Sequence, residues 1–218
     1  MFFVLSFVAE LIFLFYLSRA LTRSLSKFLS VQALSFLFLM GVIVHELSHF
    51  FAAAIMFVPV GNMEFVPKLS SGGARLGSVE IGKTDPIRRS IIGFAPVLVG
   101  LLIIIGIVYF FTSHILFFNG KDVYIFAAAI LGITYLLFAI SNTMFSSSKD
   151  MEGTLEIAIT LLIVFAAAYA FGFRPSFSFP SGFVNQLIDV IQESAIFMLA
   201  PISIDLVILG IIKVFYKK

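Results

Sequence analysis

A short motif with two histidines and a glutamate, His45-Glu46-Leu47-Ser48-His49, lies inside a long apolar stretch of the chain. On a helix, the two imidazoles would be about 40° apart around the axis, with Glu46 in the same sector. Two histidines at this spacing can bind one Zn²⁺, and a carboxylate between them can activate a metal-bound water. The motif therefore predicts a metallohydrolase whose site is surrounded by apolar residues.

The composition is that of a membrane protein. Hydrophobic residues make up 61% of the 218 residues and charged residues only 12%, whereas soluble domains are about 45–50% apolar and about 25% charged. A spanning helix needs about 20 mostly apolar residues. The sequence therefore predicts an all-α polytopic membrane protein with about six transmembrane helices, forming one domain over residues 1–218. The predicted spans are 2–18, 31–57, 88–112, 123–142, 154–172 and 187–215.

The distribution of charge predicts the orientation in the membrane. With six spans, both termini lie on the same side, and most of the 14 lysines and arginines lie there too. By the positive-inside rule we expect both termini in the cytoplasm, in a prokaryotic cell membrane. There is no cysteine, so disulfides and thiolate metal ligands are excluded.

The polar stretch after the second span predicts a short β-hairpin. Two runs with partial alternation, 62–69 and 75–82, flank the turn-forming sequence Ser70-Ser-Gly-Gly-Ala74. An exposed strand edge close to the metal helix could hold a peptide in extended form by strand addition. The alternative is a surface hairpin that only connects two helices.

A catalytic zinc site usually has a third protein ligand. His114 ends the third span and is predicted to be an interfacial loop residue, so a carboxylate is expected. Asp150 lies in a polar break between two spans, although Ser147-Ser-Lys-Asp150 is also typical of a capping box that begins a helix. The other carboxylates in or near spans have no spacing that indicates a zinc ligand; they are Glu10, Glu152, Glu156, Asp189, Glu193 and Asp205.

Together these features resemble the site-2 protease type of intramembrane zinc metalloprotease. That family carries HExxH in one core span and a distant N-x-x-P-x-x-x-x-D-G motif. Asn142 and Asp150 have the spacing of this second motif, while Phe145 replaces its proline and Met151 its glycine. The hairpin and the sequence Phe94-Ala-Pro-Val-Leu-Val-Gly100 in the third span are also similar to the family.

The resemblance covers roughly residues 31–155 and implies a zinc-dependent endopeptidase. Its cofactor would be Zn²⁺, and its substrates would be transmembrane segments of other proteins in the lipid bilayer, with no nucleic acid involved. The implied site consists of the metal ligands His45, His49 and Asp150, the general base Glu46, and Asn142, which would position the scissile peptide or its oxyanion.

Other functions stay open. An inactive homologue could bind zinc and capture single-span partners, although metal binding alone would not require Glu46. A metal transporter could use intramembrane His and Asp, but transporters often repeat such residues over several spans, and this chain has only three histidines. A prenyl-protein endopeptidase would take a glutamate as third ligand, for which Glu152 and Glu156 are candidates.

Overall fold

The computed structural model describes residues 2–65, 68–70, 73–75, 77–114, 122–145, 160, 163–173 and 180–215. Most of these residues are helical, which confirms the predicted class. Residues 163–170 form helix as well. The principal helices are α1 (Phe2–Leu25), α2 (Val31–Leu37), α3 (Leu39–Ile55), α4 (Pro86–Ser113), α5 (Val123–Thr143) and α6 (Ser181–Phe215).

Several of these helices are suited to a membrane. Within the described ranges, α1, α4, α5 and α6 are long and apolar enough to cross a bilayer, and α2 with α3 makes a fifth span if the bent pair is counted as one. Many large apolar side chains on these helices are exposed, as expected of a surface that faces lipid. The predicted span 154–172 lies largely outside the described residues, so a total of six stays a prediction.

The second predicted span, 31–57, is two helices that meet at an angle of 81°. The helix is not continuous, and the break at Phe38 has neither proline nor glycine to signal it in the sequence. The buried Phe38 ring stacks on Phe138 of α5, with centroids 5.6 Å apart. Gly41 then packs so tightly on α5 that a Cβ there would overlap the Ala139 carbonyl. These two contacts fix the direction of α3.

The end of α3 also determines where α4 lies. Phe57 adopts a left-handed conformation (φ 56°). Its N–H donates to the Ala54 carbonyl, and the Val58 N–H donates to the Ala53 carbonyl. These bonds are those of a Schellman motif, in which the residue after the left-handed one packs back on the helix. Val58 and Ala53 accordingly form a small buried cluster with Ile92 of α4.

The predicted hairpin after the second span is confirmed. Its outer ladder pairs Met63 with Val79, and its inner ladder pairs Leu69 with Ala74, both antiparallel. The strands are β1 (Val60–Glu64), β2 (Lys68–Ser70), β3 (Gly73–Arg75) and β4 (Ser78–Ile81).

Helix α4 begins directly after the hairpin with a well-formed cap. The Arg88 N–H donates to the Asp85 carboxylate over 3.0 Å, and this bond holds the pKa of that carboxyl below its usual value. Pro86 follows at the first helical position, where its missing N–H costs nothing. From this start, α4 and α5 both pack against α3.

Candidate metal centre

Helix α3 buries its polar side chains and exposes several of its large apolar ones. This arrangement is the reverse of a soluble amphipathic helix and suits a helix that faces lipid on one side. The buried polar residues are His45, Glu46, Ser48 and His49, whereas Met40, Phe51 and Ile55 are 44–68% exposed. The predicted catalytic motif therefore lies in the interior of the helix bundle.

The two histidines face one another through the nitrogens that would bind a metal. The Nε2 atoms of His45 and His49 are 3.2 Å apart, and the rings are nearly perpendicular. Two nitrogens on one tetrahedral Zn²⁺, each bound at about 2.0–2.1 Å, would be about 3.3–3.4 Å apart. The pair therefore fits a shared zinc ion with little rearrangement.

A carbonyl of α4 orients one of these rings. His49 Nδ1 lies 2.8 Å from the Ile92 carbonyl oxygen. Because a carbonyl can only accept, Nδ1 carries the proton and the Nε2 lone pair faces His45. Metal-binding histidines commonly donate their other N–H to a carbonyl in this way, which fixes both tautomer and ring orientation.

The Ile92 carbonyl is available because of a proline one turn later. In a helix this carbonyl would accept from the N–H of residue 96, but Pro96 has none. Pro96 belongs to the sequence Phe94–Gly100, which was noted above for its similarity to the resembled family. At this position it leaves the Ile92 carbonyl free to accept the hydrogen bond from His49 Nδ1.

The hairpin lies directly on the motif. Gly77, just before β4, approaches Glu46 so closely that a Cβ there would be 2.7 Å from Glu46 Oε1 and 2.9 Å from Val42 Cγ1. A side chain at this position would have to displace the Glu46 carboxylate. The backbone leading into β4 is therefore part of the wall around Glu46.

Asn142, near the end of α5, lies at the level of Val42, one helical turn before Glu46. Helices α3 and α5 run in the same sense, since Phe38 stacks on Phe138 and Gly41 contacts Ala139 and Thr143 further along. Val42 and Phe138 share one buried cluster. Phe38 and Phe138 lie at one level, so Asn142, four residues after Phe138, is level with Val42, four residues after Phe38. Glu46 lies one further turn along, about 6 Å away in that direction.

Asn142 is held by a partner that sequence reasoning missed. Its Nδ2 donates to the Phe138 carbonyl over 3.0 Å and to Asp205 Oδ1 of α6 over 2.9 Å. Asp205 is fully buried. The sequence placed Asp205 only among the carboxylates without zinc-ligand spacing, and no spacing connects two residues that are 63 positions apart.

The predicted third ligand, Asp150, lies outside the described residues, as do Glu152, Glu156 and Met151. Phe145, which stands where the motif of the resembled family has proline, is buried edge-to-face on Phe15, with centroids 5.5 Å apart. His114 caps the end of α4 and is exposed, as expected of an interfacial residue. Within the described ranges, no three His, Cys, Asp or Glu side chains are grouped to hold a metal ion.

Comparison of the chain with family models, with curated proteins and with solved structures found no match. Function therefore has to be inferred from the residues themselves. The site offers two imidazole nitrogens at zinc-binding separation, a buried carboxylate beside them, and a backbone segment packed over that carboxylate.

Proposed function

We propose that the chain is a zinc-dependent endopeptidase of the site-2 protease type, which hydrolyses peptide bonds within or near transmembrane segments of membrane-protein substrates. One observation carries the proposal: the buried His45 and His49 Nε2 atoms are 3.2 Å apart beside Glu46. Ionisable groups inside a membrane domain are costly and indicate a functional site. The same 3.2 Å separation is also that of a hydrogen bond between the two rings, so zinc content is the deciding measurement.

His45 and His49 would hold zinc through Nε2, and Asp150 is the proposed third ligand. Thr143 packs on Gly41, one turn before His45. Asp150 is seven residues beyond Thr143, and an extended chain of that length reaches about 23 Å, so covalent geometry permits the contact. Bound zinc would polarise the scissile carbonyl and make water acidic enough to lose a proton near neutral pH.

The chain's own residues would handle the proton and the substrate. Glu46 takes the proton of the attacking water on a carboxylate oxygen and delivers it to the leaving amine nitrogen. A substrate helix hides its carbonyls in hydrogen bonds, so it must unwind before it can be cut. The strand edge next to Gly77 could then hold the unwound segment by backbone hydrogen bonds.

Zinc content tests the ligand set. We expect one zinc per chain in detergent-purified wild type, and almost none in His45→Ala and Asp150→Ala, because a catalytic zinc site depends on all its ligands. His114→Ala is the matched control, since this histidine is exposed at the end of α4, and it should retain zinc. Metal analysis of the purified proteins measures this.

Two results would count against the proposal. If the wild-type protein contained no zinc even after reloading, the buried His and Glu residues of the motif would serve only in polar packing between helices. Zinc lost from Glu156→Ala but retained in Asp150→Ala would move the third ligand and favour the prenyl-protein endopeptidase alternative.

Gly77→Ala tests whether the hairpin confines Glu46. The new methyl would displace the flexible Glu46 carboxylate, so we expect kcat to fall by about tenfold to a hundredfold, since small misplacements of catalytic groups have effects of that size. Zinc content should stay the same. The assay uses an internally quenched single-span peptide with two central glycines, in detergent micelles.

Gly61→Ala is the matched control for this variant. It lies in the same hairpin, and its Cβ would press on Glu80 Oε2 at 2.8 Å, but that glutamate is exposed and outside the site. Equal kcat values for the two variants would show that Gly77 has no special relation to Glu46.

A further inference from the structure

A buried amide–carboxylate pair joins α5 to α6. Asn142 is 5% exposed and Asp205 is fully buried. One atom, Asn142 Nδ2, is within hydrogen-bond distance of both the Phe138 carbonyl and Asp205 Oδ1. Placing a carboxylate inside an apolar bundle is costly, so the hydrogen bond from Asn142 of the candidate site to Asp205 calls for an explanation.

The two acceptors determine which way the amide points. The Phe138 carbonyl can only accept, so the group facing it must be the amide nitrogen and not the oxygen. Asp205 accepts the second N–H of the same nitrogen. Both donors of Asn142 are therefore engaged, and the amide cannot rotate without breaking two hydrogen bonds.

Only the amide oxygen is left to interact with a substrate. Asn142 Oδ1 is buried and has no hydrogen-bond partner among the described residues. A buried acceptor of this kind is satisfied by an N–H or O–H donor. Because Asn142 lies about one helical turn from Glu46 along α3 and α5, a peptide N–H is the donor that a substrate bound past Glu46 would bring, whereas a developing oxyanion would be repelled.

We propose that Asp205 is a positioning residue, which fixes the Asn142 amide so that Oδ1 accepts a backbone N–H of the substrate. The inference rests on the proposed protease function and goes beyond it. Asn142 becomes a substrate-aligning acceptor instead of an oxyanion donor, and α6 becomes part of the active machinery through one carboxylate.

The test compares two replacements of Asp205 with the quenched single-span peptide. Asp205→Asn keeps an oxygen that can accept from Asn142, so kcat should stay within about threefold of the wild-type value. Asp205→Leu removes the acceptor and should lower kcat by about tenfold or more with little change in KM. Zinc content should be unaltered in both. Asp189→Leu, at an exposed position on the same helix, should behave as wild type.

The alternatives give distinct results. Cleavage by wild type with an unchanged kcat in Asp205→Leu would overturn this inference alone. A similar loss of kcat in Asp205→Asn and Asp205→Leu would also overturn it, because rescue by an alternative acceptor is required. No cleavage by wild type, or undiminished cleavage by Glu46→Gln, would remove the protease proposal and this inference with it.

A second measurement decides the matter if Asp205→Leu does not fold. In wild type with ¹⁵N-labelled asparagine, the side-chain amide of Asn142, assigned through Asn142→Ala, should exchange its protons far more slowly than that of the exposed Asn185. Equal exchange rates for the two side chains would show that Asn142 is not held.

Discussion

Glu46→Gln should retain zinc and lose nearly all peptidase activity. We expect kcat to fall by about 10²- to 10⁴-fold, the range that general acid–base catalysis contributes. Glutamine has almost the same size as glutamate, so the buried packing around Glu46 and Gly77 stays intact. What is lost is the carboxylate oxygen that accepts a proton. Cleavage of the quenched peptide and metal analysis of the same preparation measure the two effects separately.

The matched control is Glu80→Gln, which alters an exposed glutamate of β4 in the hairpin beside the site. It should cleave at the wild-type rate. If Glu46→Gln kept its zinc and cleaved as fast as Glu80→Gln, Glu46 could not be the general base. The inactive zinc-binding protein would be favoured if neither wild type nor any variant cleaved while all of them held zinc.

Pro96→Ala should weaken zinc binding without touching a ligand. Alanine restores an N–H one turn after Ile92, and this N–H competes with His49 Nδ1 for the Ile92 carbonyl. Loss of a hydrogen bond that orients a metal-binding histidine typically lowers metal affinity by about 10- to 100-fold. We therefore expect the zinc dissociation constant to rise by about that factor, as measured by titration against a chelator of known affinity.

Pro201→Ala serves as the control because it is also a fully buried proline within a helix. Pro201→Ala introduces a backbone N–H into α6 and not into α4, so the zinc affinity should not change. Equal affinities for wild type and Pro96→Ala would mean that the Ile92 carbonyl is not needed to orient His49. An equal loss in both proline variants would point to general loosening of the bundle.

The elements that could be predicted are those encoded by local pattern. The apolar runs of α1, α4, α5 and α6 are long enough to be recognised from residue type alone, and Ser70–Ala74 has a turn composition. The break at Phe38 could not be predicted, because it results from the stacking of Phe38 on Phe138 and the close approach at Gly41. Both contacts are between helices and have no local signature.

The candidate site shows the same division. The His45 and His49 pair follows from the helical repeat, and the structure brings the two Nε2 atoms together as that repeat predicts. Ile92 orients His49 through its carbonyl, and Gly77 packs on Glu46 through its backbone. No side-chain type in the sequence indicates either contribution. Pro96 was the one available signal, because a proline in a helix always frees the carbonyl four residues earlier.

In the membrane protein that we propose, the 81° angle between α2 and α3 has a consequence for the surrounding lipid. The 17 residues of α3 extend about 26 Å, which is less than the hydrocarbon thickness of about 30 Å. The sharply turned α2 adds little to that length. Hydrophobic mismatch of this kind is relieved by local thinning of the bilayer or by entry of flanking polar chain into it. Because His49 is six residues before the end of α3, water from the hairpin side has only about 9 Å of helix length to pass.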